Sequence, residues 1–167
     1  MEQNNKDVDL TEEQAKQFLS TLAHLQLRPQ VYASEEHFGI PALDWIHGFT
    51  FGLRLVGIAF DDEIEQVRVE RGYEISAFHP IRQMREQGMS EDECLEETVQ
   101  MLIEAVKRKY SLSNEPIEKV RKMFRDAVKQ SIENIDTQPN LSEGAKENQL
   151  KRLKEREDRI NRIDKKF

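Results

Sequence analysis

Two pairs of carboxylates stand at a spacing that can do chemistry: Asp62-xx-Glu65 and Glu93-xx-Glu96. Residues three apart on a helix are neighbours, so each pair presents two acids on one face. The pairs are separated by 27 residues, 66–92. Two such helices lying side by side offer four carboxylates, and hard oxygen donors are what Mg²⁺ takes. The competing reading is chance. The chain carries 32 acidic residues, and Glu133-xx-Asp136 repeats the spacing at an unsuitable distance. The chance reading is preferred, so no catalytic, cofactor-binding or metal-binding residue is assigned. Asp62, Glu65, Glu93 and Glu96 stand as the alternative, with Mg²⁺ as its cofactor.

The other chemistry-bearing residues point to less. Asp44-xx-His47 sets two ligand types on one helix face. A di-iron bundle, however, needs Glu-xx-His on two helices plus two further acids, and the chain has no Glu-xx-His. His24, His37 and His79 are isolated in sequence, and His47 beside Trp45 reads as a packed or hydrogen-bonded residue. Cys94 is the one cysteine, which excludes an internal disulfide and an all-cysteine zinc site. It falls near a predicted helix start, where a thiol pKa is lowered, but Asp92, Glu93, Glu96 and Glu97 oppose that, so an inert thiol is expected. No Gly-x-Gly-x-x-Gly, P-loop, Gly-x-Ser-x-Gly or His-Glu-x-x-His motif is present. Ile81–Ser90 followed by a helix has the rhythm of a helix–turn–helix, but the helix in the recognition position is acidic and phosphate repels it.

The elements that would position these residues read as helices. Residues 1–10 are expected to be disordered. Thr11-xx-Gln14 is a capping box, followed by Ala15, Phe18, Leu19, Leu22 and Leu25 at helical spacing, and Pro29 stops the helix. After a loop at 29–40, Pro41 suits the first turn of a second helix. Leu43, Ile46, Phe49, Leu53, Val56 and Phe60 then lie on one face. Phe49, Phe51, Leu53 and Leu55 also alternate as a strand would, but the helical period covers more residues. Being apolar on most sides, this segment predicts a buried central helix. Gly48 and Gly52 within it predict another helix packed very close, because glycine costs a soluble helix about 1 kcal/mol relative to alanine.

Asp61-Asp62 predicts the cap of a third helix with Ile64 and Val67 inward, ending near Gly72; Val67-Arg68-Val69 leaves a short strand open. Pro80–Gln87 reads as a short helix closed by Gly88. Ser90-xx-Glu93 is a second capping box, opening a helix with Leu95, Val99, Leu102, Val106 and Tyr110 on one face. Pro116 starts a sixth helix striped by Ile117, Val120, Phe124, Ala127, Val128 and Ile135, and 136–140 is a break. In 141–167, Leu153, Ile160 and Phe167 sit seven apart, but the other heptad seam holds Leu150, Glu157 and Asp164, a poor coiled coil. This segment reads as a solvated helical tail docking one edge, with a partner-binding or dimerising helix as the alternative.

Charge is segregated. The chain is 34% charged, 37% hydrophobic and carries a net charge of −7, against a usual quarter of charged residues. Residues 61–104 hold 13 acids and four bases, whereas 141–167 hold nine bases and six acids. The acidic balance argues against a duplex-DNA binder. The most apolar window, 45–60, is interrupted by His47 and Arg54 and is shorter than the roughly 20 residues of a membrane span. The N-terminus, MEQNNKDVDL, lacks an apolar stretch of signal-peptide type. A cytoplasmic protein without membrane contact is expected.

Two families enter by resemblance. The paired carboxylates resemble the ExxE…ExxD arrangement of MazG-type all-α nucleotide pyrophosphohydrolases, although the first pair begins with Asp and the order of pairs is reversed. Trp45-Ile-His47-Gly48-Phe49-Thr-Phe-Gly52-Leu53-Arg-Leu55 is similar to the tryptophan, Gly-Phe, Gly-Leu helix of the small all-helical YecA/YgfB-type proteins. Phe60, Pro80-Ile81, and Thr98 to Tyr110 with Ala105-Val106 continue the likeness over roughly 41–111. The family's N-terminal His-Gly-Phe-Leu-type helix and the cysteine-rich tail of some members are absent, and 113–167 is extra. This resemblance implies an all-α domain that acts by binding proteins, in regulation or near the translation and secretion machinery, with no catalytic residue to carry over.

The expectation is thus an all-α protein: a compact helical bundle over 11–112, an amphipathic helix and linker over 113–140, and a charged helical tail over 141–167. Its expected role is non-enzymatic interaction or regulation through a protein partner. The alternatives are the Mg²⁺-dependent hydrolase and self-association through 141–167.

Overall fold

The chain enters its first helix through the capping box. Gln14 N–H donates to the Thr11 hydroxyl at 3.3 Å and Thr11 N–H donates to the Gln14 side chain at 2.9 Å. This opens α1 (Glu12–Leu27), followed by α2 (Gly39–Leu55), α3 (Asp61–Glu70), α4 (Ile81–Glu86), α5 (Glu91–Tyr110), α6 (Glu115–Asn134) and α7 (Glu143–Lys166). The computed structural model describes residues 9–29, 39–74, 80–135 and 142–167, and among them there is no strand. Expectations for residues 1–8, the loop at 30–38, His37, His79, the break at 136–140 and the side chains of Asp44 and Trp45 lie outside the described residues. The described helices divide into two compact units, Met1–Pro116 and Ile117–Phe167.

In the first unit α1, α2, α3 and α4 each pack against α5. Every residue of α5 from Cys94 to Ile103 is buried, so the helix is enclosed on all sides. The sequence pattern assigns the central position to 41–60 instead, and that expectation is corrected. α2 stops at Leu55 and leaves Phe51, Leu55 and Val56 at 60%, 73% and 58% exposure. The cause is a Schellman stop. Gly57, at φ 87°, donates to the Arg54 carbonyl at 3.0 Å, and Ile58 donates to the Leu53 carbonyl at 2.9 Å. The chain turns there, so Ile58 and Phe60 reach the core from a corner rather than from the continuing face of α2. Phe60 meets the Phe18 ring at 5.9 Å and the Tyr110 ring at 6.3 Å.

Two further expectations are corrected. Phe60, not an aspartate, stands at the N-cap of α3, and no side chain caps it. Asp61 is the first helical residue and pairs with Arg54. Gly48 and Gly52 are exposed, and a β-carbon built on either meets nothing within 4 Å, so no neighbouring helix explains them. The segment Val67–Val69 is helical, with Val67 buried and Val69 exposed. The second capping box forms, Glu93 N–H donating to the Ser90 hydroxyl and Ser90 N–H to the Glu93 carboxylate at 2.8 Å.

The second unit is built from α6 and α7. Ile117, Val120, Val128 and Ile135 of the predicted stripe are buried, but Ala127 is exposed. On α7 the buried residues are Leu153, Ile160 and Ile163. Ile163 replaces Phe167 in the expected stripe, because a position three beyond Ile160 returns to the same face. Asp164, counted in the sequence as a flaw of the seam, ties α7 to α6 through Arg125 at 2.5 Å and the buried Arg121 at 3.6 Å.

Open space around Gly48 and Gly52 makes each a site where alanine is expected to raise stability by about 0.5–1 kcal/mol, because it narrows the unfolded ensemble without strain. Chemical denaturation of Gly48→Ala and Gly52→Ala checks this, and a lower midpoint would restore the close-packing reading. A pH effect follows from His24. Burial, and secondly the Arg28 charge, push its imidazole below the ordinary value. Such a histidine binds fewer protons folded than unfolded, so its stabilising contribution is complete above about pH 6.5 and is lost as pH falls below that. Between about pH 8 and pH 5 the melting temperature is expected to fall more steeply in the wild type than in His24→Gln; parallel profiles would contradict it.

Candidate functional site

The carboxylates singled out by spacing do not assemble. α3 and α5 pack together, yet Asp62 and Glu65 are exposed on α3, Glu93 is engaged in the cap of α5, and Glu96 is fully buried. Among the described residues no three His, Cys, Asp or Glu side chains group as a cation site. Other acids do the joining. Arg71, just beyond α3, donates to both Glu97 and Glu104 of α5, and Arg108 forms a two-pronged pair with Glu70. Cys94 is buried, and burial, with Glu91 next in weight, pushes its thiol up. The helix in the recognition position of the helix–turn–helix rhythm is α5, whose enclosure leaves no face for a DNA groove.

What the fold does build is a cavity of about 410 Å³ walled by α2, the α2–α3 corner, α3 and α5. Small-molecule sites occupy roughly 300–1,000 Å³. Ile46, Ile58, Phe60, Ile64, Met101 and Leu102 give it an apolar lining. Among the described residues its polar wall holds Arg54, Arg68, His47, Thr50 and Thr98 with Asp61. Arg54 pairs with Asp61, and Arg68 Nη2 donates to the neutral Glu74 carbonyl at 3.2 Å.

Thr98 is the unusual member of the lining. It is 3% exposed, and its hydroxyl oxygen is buried with no hydrogen-bond partner among the described residues. A helical hydroxyl ordinarily bonds back to the carbonyl four residues earlier, as Ser20, Thr21, Thr50 and Ser131 do here at 2.8–3.1 Å. Thr98 does not, and an unsatisfied buried hydroxyl costs about 1–3 kcal/mol.

Beside the cavity lies an exposed helix face. Gly48, Phe51, Gly52 and Leu55 follow one another at helical steps on α2, all exposed, with Val56 at the end. Phe51 belongs to both features, since it also lines the cavity. Sequence reasoning missed the cavity residues Thr98 and Arg68, although a signal for Thr98 existed. Leu95, Thr98 and Leu102 share one face of α5, so a hydroxyl was written into an apolar stripe.

No family model, curated protein or solved structure matches this chain. No helix among the described residues is long and apolar enough to cross a membrane.

Replacing Thr98 by valine keeps the shape and removes the unsatisfied oxygen. Thr98→Val is expected to be neutral or up to about 1 kcal/mol more stable than wild type. Thr50→Val, which deletes a bonded hydroxyl, should not gain. Urea melts of the two variants decide: a marked loss at Thr98→Val would mean that its hydroxyl is bonded in the folded protein.

Proposed function

We propose that the protein is a non-enzymatic interaction module whose recognition surface is the outward face of α2. One observation carries this: Phe51, Leu55 and Val56, three large apolar side chains, stand more than half exposed at the end of a single helix. Clustered apolar exposure marks contact sites in soluble proteins. Gly48 and Gly52 make the same face smooth, which lets a second backbone come close, with Phe51 and Leu55 as anchors. The occupant is a helix of a protein partner, laid along this face by its own apolar stripe. An interaction role also accords with what the YecA/YgfB-type resemblance implies, and the glycines at issue are the ones that carry that resemblance.

The test is Phe51→Ser combined with Leu55→Ser. Because both side chains are exposed, the variant should melt at the wild-type temperature. Anchor residues contribute about 2 kcal/mol or more each to an interface, so proteins captured from cell extract by the wild type should be absent from the variant's capture. An unchanged set of captured proteins with an unchanged melt would overturn the reading.

A further inference from the structure

The cavity raises a question that the exposed face does not answer, namely why an apolar chamber carries two guanidinium groups and an unsatisfied hydroxyl in its wall. Among the described residues the cavity meets two guanidinium groups, Arg54 and Arg68, and one carboxylate, Asp61. Its apolar lining from Ile46, Ile58, Ile64, Met101 and Leu102 suits a hydrocarbon body. Its volume of about 410 Å³ admits a molecule of around a dozen heavy atoms. Thr98 adds a donor that the protein leaves unused, although other helical hydroxyls of the chain are satisfied by their own backbone.

We propose that this cavity is a binding site for a small amphiphilic anion, a medium-chain carboxylate, whose hydrocarbon body lies on the apolar lining and whose head takes the Thr98 hydroxyl and the field of Arg54 and Arg68. Each feature answers one part of such a ligand. The two guanidinium groups, Arg54 and Arg68, select an anion over an alcohol of the same length. The apolar lining selects a chain over a small acid such as acetate. The hydroxyl forms a bond only when the ligand is present, so binding removes a cost that the empty protein carries. No bond is made or broken, and the site is one of binding. The inference is separable from the proposed α2 interface, with which the cavity shares Phe51 but neither Leu55 nor Val56.

Isothermal titration of the full chain with sodium decanoate, decan-1-ol and sodium acetate tests it. Decanoate is expected to bind saturably at one site and to raise the melting temperature by mass action. Decanol should bind about tenfold more weakly and acetate not at all. Thr98→Val, which keeps its fold, should weaken decanoate about tenfold. Arg54→Gln, at an exposed position, should weaken decanoate while leaving decanol unchanged. No saturable decanoate binding would overturn the proposal. So would equal binding of decanoate and decanol with no response to Thr98→Val, the behaviour of detergent adsorbed on the apolar face. A Leu55→Ser/Val56→Ser variant, altered only at exposed positions outside the cavity lining, separates the two readings, since loss of captured protein partners with decanoate binding retained touches the interface alone.

Discussion

The first unit depends on Arg71. A helix packed against four others has no solvent face, and α5 nevertheless carries Glu96, Glu97, Thr98 and Gln100 through its buried length. Glu97 and Gln100 find their partners inside. Gln26 of α1 donates to the Glu96 carbonyl and the Gln100 side chain at 3.3 Å, and Gln100 donates to Glu104 at 3.2 Å. Glu104 and Glu97 then converge on the guanidinium of Arg71. One connected chain of polar contacts thus runs from α1 across α5 to the end of α3. A guanidinium suits the position because its fixed fork serves two carboxylates at once. Removing it would leave Glu97, 5% exposed, as a buried charge without its ion-pair partner, which is far costlier than never having placed an acid there.

Arg71 owes its position to a corner, and corners set the shape of this unit. α2, α3 and α4 end the same way, with a glycine in the left-handed region and paired bonds back to the last turn. The corner after α3 holds Arg71 beside α5 and buries Tyr73, whose phenol burial pushes up to about 12. The corner after α2 sends Ile58 and Phe60 inward. Lys109 then fastens that corner by donating to the Ala59 carbonyl at 2.7 Å with its ammonium 5.5 Å from the Phe60 ring centre. The neighbouring Tyr110 hydroxyl donates to Asp9 at 2.7 Å, fixing the entry to α1. With the core filled from the corner, the last turn of α2 has nothing left to cover, and its apolar side chains stay outside.

Local chemistry was legible in the sequence and global placement was not. Both capping boxes were readable because their partners lie three residues apart, and so were the Gly72 and Gly88 stops and the inward face of α5. The central helix was not. Apolarity on every side marked α2 for burial, but enclosure depends on how many neighbours a helix has, and the neighbours of α5 hide behind polar residues whose partners, Gln26 and Arg71, are distant in sequence. The stop at Gly57 was masked by the apolar residues around it, which continue a helical period across a turn. On α7 a strict seven-residue count passed over Ile163 and read Asp164 as a flaw, whereas facing arginines on α6 make that acid a tie.

The same distinction explains why the carboxylate pairs were a poor guide to the site. Spacing along a helix shows which acids share a face but not what they face. In this fold Glu93 satisfies a helix start, Glu97 and Glu104 share one arginine, and Glu70 and Glu91 are held by Arg108 and Arg85, which keep both carboxyls below their ordinary range. Acids committed to ion pairs and caps bring their counter-charges with them. The cavity is arranged differently: among the described residues its wall carries the guanidinium groups of Arg54 and Arg68 and the hydroxyl of Thr98 on an apolar lining. It is on the inward face of α5 that the fold leaves one need unmet, the Thr98 hydroxyl, buried against the apolar lining with no partner among the described residues.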